Sequence, residues 1–199
     1  FTDNFKPFMR WLSLEAHERK YRCQPEPEQK LVLRDRARCN DERTLIAAVL
    51  PEKSVFGHSL NGIRAQGDLH TLCWLMNSVA FDFLVRFRIG GQHVSPYLIK
   101  PTPVLAESLL PHLGNSLLHD ARFQETTPYD VAANFPPIVA AEIAIAKAYG
   151  LSPEDFEYIL ASFPIFSRKR PEFHAYLLGR VAEWKGSRPK KRIAARVSS

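Results

Sequence analysis

Cysteine is scarce in this chain of 199 residues, and the three present (Cys23, Cys39 and Cys73) are odd in number and without paired spacing. A disulfide framework is therefore not expected, and reduced thiols in a cytoplasmic protein are. No CxxC or Cys/His set has zinc-ligand spacing. No run approaches the roughly eighteen apolar residues of a membrane span, and no signal-peptide pattern follows Phe1. GxSxG, HExxH and P-loop motifs are missing. Seven histidines are scattered without a carboxylate or nucleophile at a recognisable spacing. No glycine-rich strand-to-helix turn for a dinucleotide or S-adenosylmethionine occurs. The double proline in Asn134-Phe135-Pro136-Pro137 has its aromatic on the wrong side for an Asn-Pro-Pro-aromatic methyltransferase motif. The chain reads as devoid of catalytic machinery and as a piece of a larger protein.

Positive charge, by contrast, is in excess. The formal charge is +6, with an isoelectric point near 9.3. Residues 1 to 135 hold 16 Lys/Arg against 15 Asp/Glu, and residues 136 to 199 hold 11 against 6. The basic balance thus comes mainly from the C-terminal part, so a claim of anion binding in the middle must rest on where particular arginines sit.

Periodicity gives an α+β expectation, with strands in the middle and helices around them. Residues 1 to 22 read as an amphipathic helix that Pro25 and Pro27 end. Residues 31 to 38 read as a strand with Arg34, Arg36 and Arg38 on one face by period two. Residues 44 to 51 read as a second, more buried strand, and 54 to 68 as a third strand or irregular loop. Leu69 to Phe87 is one apolar-faced helix, with Asp68 as N-cap and Gly90 or Gly91 in the left-handed C-terminal position. Val94 to Ile99 reads as a short strand. Residues 106 to 135 read mostly as loop. Helices follow from Pro136 or Pro137 to Gly150, from Ser152 as cap to about Ser162, and from Pro171 to about Trp184. Residues 185 to 199 are a basic, low-complexity tail read as disordered.

Three clusters carry possible chemistry. Arg34, Arg36, Arg38 and Arg43 lie within ten residues of strand and turn. Guanidiniums on one face suit phosphate oxygens and guanine edges, and they equally suit ion pairs with Asp35, Asp41 and Glu42 at a solvated strand edge. Arg86, Arg88, Gln92, His93, Ser95, Tyr97 and Lys100 surround Gly90-Gly91, where exposed backbone admits a ligand. A helix C-terminus with dipole-complementing cations accounts for Arg86, Arg88 and the glycines just as well, but not for the polar residues after them. His58, in Gly57-His58-Ser59, reads as a satisfied turn residue sooner than as a catalytic one. The cationic tail could touch phosphates non-specifically or simply be solvated.

Three segments in order resemble a known family. They are LVLRDRARCNDERTLIAAVLP; FGHSL followed by LMNSVAFDFLVRFRIGGQHVSPYLIKPTPV; and AYGLSPEDFEYILASFPIF. Together they are similar to the C-terminal region of large bacterial restriction-modification enzymes, the fused adenine-specific DNA methyltransferases of type IIG and related systems. The likeness spans roughly residues 30 to 184. Gln92 stands where the family frequently has threonine. The resemblance implies a target-recognition region for double-stranded DNA, beside an N-terminal methyltransferase domain that binds S-adenosylmethionine outside this chain. It implies a strand-rich recognition core with a long packed helix over 29 to 105. That core follows an N-terminal segment (1 to 28) and precedes a loop-rich connection (106 to 135), a helical segment (136 to 184) and the tail (185 to 199). It turns Arg34, Arg36, Arg38, Arg43, His58, Arg86, Arg88, Gln92, His93, Ser95 and Lys100 into expected DNA contacts, with no metal and no catalytic residue in the chain. A different class of role stays open for 136 to 184: a docking module, with Ile138, Ile143, Ile145, Phe156, Ile159 and Leu160 as its apolar stripes.

Overall fold

A computed structural model describes residues 19–20, 28–38, 41–110 and 128–187. The readings made for the N-terminal helix, for most of the 106–135 connection and for all but the start of the basic tail lie outside the described residues.

The sheet is small and antiparallel, in the order β2-β1-β3, from β1 (Lys30–Arg34), β2 (Ala47–Leu50) and β3 (Leu60–Ile63). Leu31 faces Val49 and Ile63, and Leu33 faces Ala47 and Asn61. β2 falls inside its expected span, β3 occupies four residues of the 54–68 stretch, and β1 begins one residue earlier than expected and ends four residues sooner. Backbone pairing runs just past the strand ends on both sides of β1: Arg34 N donates to the Ile46 carbonyl at 2.9 Å on the β2 side and Asp35 N to the Ser59 carbonyl at 2.9 Å on the β3 side, after which only an isolated bridge at Arg36 remains. The expected three-arginine face is therefore not formed by one regular strand.

The long helix predicted over 69 to 87 is two helices, α1 (Leu69–Asn77) and α2 (Val79–Arg86), broken at Ser78. Ser78 has extended backbone (φ −72°, ψ 150°). Its N–H and hydroxyl both donate to the Leu75 carbonyl, and its Oγ accepts from Phe81 N at 3.2 Å. One serine closes α1 and caps α2. Asp68 caps α1 as expected, accepting from the N–H groups of His70 and Thr71. Gly90 and Gly91 do not take the left-handed position: the glycines with positive φ among the described residues are Gly67 and Gly150. The C-cap of α2 is Phe87, in right-handed helical geometry. Val94 to Ile99 is not a strand. Pro96 starts a single helical turn, α3 (Pro96–Ile99), because its ring presets the first helical φ and its missing N–H costs nothing there.

The C-terminal helices are α4 (Phe135–Ala148), α5 (Pro153–Ala161), α6 (Pro164–Lys169) and α7 (Pro171–Gly186). Prolines open all four. Gly150, at φ +75°, follows α4 where a side chain would be strained. Ser152 and Asp155 form a reciprocal capping box on α5. Ser152→Ala is expected to cost about 1 kcal/mol, read as a lower urea midpoint. An unchanged midpoint would mean that the cap is not holding α5.

Two apolar cores result. One gathers Leu31, Leu33, Leu45, Leu75, Phe81, Val85 and Val94 between the sheet and the first two helices. The other gathers Trp74, Val79, Phe156, Phe163, Phe166, Phe173 and Leu177. They interlock: α1 and α2 feed both, and Ile145 of α4 reaches into the first. In the second core Tyr129, Phe135, Phe166 and Phe173 meet edge to face at 4.8–5.8 Å.

Candidate nucleic-acid interface

The predicted contacts divide by burial. Arg43 is buried, its Nε donating to Asp82 Oδ2 at 2.8 Å and its Nη2 to the Asn77 carbonyl. Arg34 is 13% exposed and donates to the Arg43 carbonyl at 2.7 Å, with Asp41 at 3.5 Å. Burial works against its charge and leaves the guanidinium below its ordinary range, with Asp41 and Asp82 partly offsetting this. Arg86 donates to Thr44 Oγ1, to the carbonyls of Asp41 and Ser162, and lies over the Phe163 ring at 3.9 Å. These three arginines were expected on DNA. The structure places them instead on the 41–45 turn, where they satisfy backbone carbonyls that would otherwise be stranded in the interior.

The turn is held from several directions. Asp82 is wholly buried. Besides Arg43, it accepts from Thr44 N at 3.0 Å and Leu45 N at 3.1 Å. Arg170 donates to Glu42 at 2.9 Å and also pairs with Asp130. The Asn77 amide, next to the helix break, bonds both the N–H and the carbonyl of Ala47 at 2.9 Å. It thereby occupies the outer edge of β2 as a further strand would. Glu142, on α4, accepts from Val79 N at 2.9 Å. Burial pushes its carboxyl up to about 7, against the pull of Arg43 and the Val79 hydrogen bond and with help from Asp82. Burial also opposes the Arg43 charge, but Tyr129, Asp82 and Glu142 more than offset it and hold the guanidinium above its ordinary range.

The remaining predicted residues stay at the surface. Arg36 and Arg38 are exposed, and neither guanidinium has a hydrogen-bond or ion-pair partner among the described residues. Arg36 forms an isolated antiparallel bridge with His93. Ala37 N donates to the Gln92 carbonyl at 3.0 Å, and Val94 N to the Asp35 carbonyl at 2.6 Å. The segment after the double glycine thus lies against the chain leaving β1. Ser59, beside the exposed His58, meets the same segment through Asp35 N. The result is one polar sheet end carrying Arg36, Arg38, His58, Gln92 and His93. A Cβ built on Gly90 or Gly91 meets nothing within 4 Å, so neither packing nor backbone conformation demands these glycines.

Arg88, Ser95 and Lys100 sit to one side. Arg88 is exposed and donates to Thr102 Oγ1 at 3.0 Å. Ser95 occupies the N-cap position of α3 without a side-chain cap bond. Lys100 borders a groove of about 580 Å³ floored by Ile63, Leu72, Met76 and Ile99, with Arg64 also on its lining. No group of three His, Cys, Asp or Glu side chains able to hold a metal occurs among the described residues. No helix among them is long and apolar enough to cross a membrane.

Sequence reasoning missed the residues that organise this region. Asn61 holds Asp35, otherwise expected only as an arginine partner, at the sheet end; Asp82 bonds the turn, and Glu142 bonds Val79 N at the start of α2. The available signal was a carboxylate inside an apolar helical run, VAFDFLV and AAEIAI, where an unpartnered charge would be costly. Of the docking stripe, Ile138, Ile145, Phe156, Ile159 and Leu160 are buried within the chain and Ile143 is half-buried. Comparison with protein-family models, curated proteins and solved structures finds no match to this chain.

Proposed function

We propose that this chain is the DNA sequence-recognition region of a bacterial adenine-N6 DNA methyltransferase or restriction-modification enzyme. In this reading S-adenosylmethionine and the methyl-transfer chemistry belong to a catalytic domain outside the chain. The observation that carries it is the sheet end on which Arg36, Arg38, Gln92 and His93 stand exposed beside a double glycine that packing does not require. Exposed guanidiniums without partners among the described residues suit phosphate oxygens, and Gln and His side chains suit base edges. The order of the three family-like segments supports the same reading. Arg34, Arg43 and Arg86 leave the set of contacts, because reaching DNA would strip the turn of its hydrogen bonds.

The test is binding of the whole chain to a duplex DNA pool across a salt series. Parent affinity is expected to fall with salt. Replacing Arg36 and Arg38 together with alanine is expected to weaken binding to all sequences and reduce the slope of log K against log salt by about two. Its urea midpoint should stay close to the parent's, since both side chains are exposed. Equal affinity and slope in the two proteins would remove these arginines from the interface, and no binding by the parent at low salt would end the reading.

A further inference from the structure

The Asp35 carboxylate sits between two partners with fixed roles. Its Oδ1 accepts from Asn61 Nδ2 at 3.1 Å, and its Oδ2 lies 2.7 Å from His93 Nδ1. Asn61 is itself oriented, because the same Nδ2 donates to the Val94 carbonyl at 2.9 Å. The His93 hydrogen bond, with Asn61 helping and partial burial opposing, holds the Asp35 carboxyl below the usual carboxylate range. An ionised carboxylate only accepts, so the proton between them belongs to Nδ1. A neutral imidazole then carries its lone pair on Nε2. The His93 side chain is 61% exposed, and no group among the described residues bonds Nε2. The charged groups facing the ring are Asp35 and, across the bridge, Arg36.

We propose that Asp35 fixes the tautomer of His93 so that Nε2 acts as a hydrogen-bond acceptor for an exocyclic base amine, adenine N6 or cytosine N4. This rests on the DNA-recognition reading above and adds the class of base that one side chain selects. On the major-groove edge the amines of adenine and cytosine donate, whereas guanine and thymine present acceptors that would oppose the lone pair. The Asn61 contact gives a sharp consequence. In Asp35→Asn, Asn61 Nδ2 continues to hold the introduced amide oxygen, so the amide NH₂ faces Nδ1. The ring proton then moves to Nε2, and the acceptor becomes a donor. Replacing the carboxylate of a His–Asp pair by its amide acts through this kind of tautomer change.

Two measurements test it. In the free chain, the ¹⁵N chemical shifts of the His93 ring at pH 8 are expected to show protonated Nδ1 in the parent and protonated Nε2 in Asp35→Asn. The same tautomer in both proteins overturns the proposal whatever the DNA does. Selection from a random duplex pool by the whole chain at pH 8 is expected to fix adenine or cytosine at one position. His93→Ala should relax that position alone, by about 5- to 150-fold in discrimination. Asp35→Asn should change it to guanine or thymine. Selection of an unchanged site by both variants overturns the proposal and leaves the DNA reading standing, whereas a parent that retains no sequence fails the DNA reading itself.

Discussion

With Asp82 replaced by alanine, the chain is expected to lose about 3–5 kcal/mol of stability. The wholly buried carboxylate accepts from the Arg43 guanidinium and from the backbone N–H groups of Thr44 and Leu45. Removing it leaves a charge and two donors in the interior without that partner. The cost is the desolvation of the stranded groups more than the loss of an attraction, because a buried pair gains little over well-packed apolar residues. Adding Arg43→Met to Asp82→Ala is therefore expected to recover part of the loss, since the stranded charge goes with it. Urea unfolding followed by tryptophan fluorescence measures both, with Trp74 buried in the second core as reporter. A loss below about 1 kcal/mol, the size of a single exposed interaction, would contradict the arrangement around Asp82.

Glu142 gives the second large effect, and it depends on pH. Burial pushes its carboxyl up to about 7, well above the ordinary carboxylate range, so the folded chain binds this proton more tightly than the unfolded chain does. The contribution to stability is full below about pH 4.5 and is lost as pH rises towards 7. At pH 8 the ionised form is held where burial penalises it, at a cost on the order of 3 kcal/mol. Glu142→Gln keeps an oxygen for Val79 N and removes the titration. It is expected to match the parent near pH 5 and to exceed it at pH 8. Other groups titrate in this range, among them His174, whose burial lowers its imidazole, but these are common to both proteins. The difference between the two urea profiles isolates Glu142, and parallel profiles would overturn its assignment.

Local signals in the sequence located most elements. The Asp68 cap, the Ser152-Pro153 start of α5 and the proline starts of α4 and α7 all lie where their residues predict. Such features are decided within one helical turn, so a sequence window contains them. The break at Ser78 was hidden because the apolar period runs through it: Leu75 and Phe81 both stay buried. Six residues from Val94 were too short a run to separate strand from helix, and Pro96 decided for helix. The arginines misled for a different reason. Arg43 meets Asp82 39 positions away, and Arg86 meets the Ser162 carbonyl 76 positions away. Spacing along the chain carries no trace of such partners. The polar sheet end was half legible: Arg36, Gln92 and His93 were in view, but their junction through Asp35 and Asn61 needed three segments brought side by side.

The 41–45 turn also constrains the order in which this protein can mature on the ribosome. Synthesis runs from the N-terminus at about 5–20 residues per second. The turn's first supports, Asn77, Asp82 and Arg86, emerge 34 to 45 positions behind their partners in it. Its last, Arg170, comes 128 positions after its partner Glu42. The nascent chain must therefore carry an unfinished turn for several seconds after β1 and β2 have left the exit tunnel. Emergence of the junction between α6 and α7, where Arg170 sits, is the event that completes it.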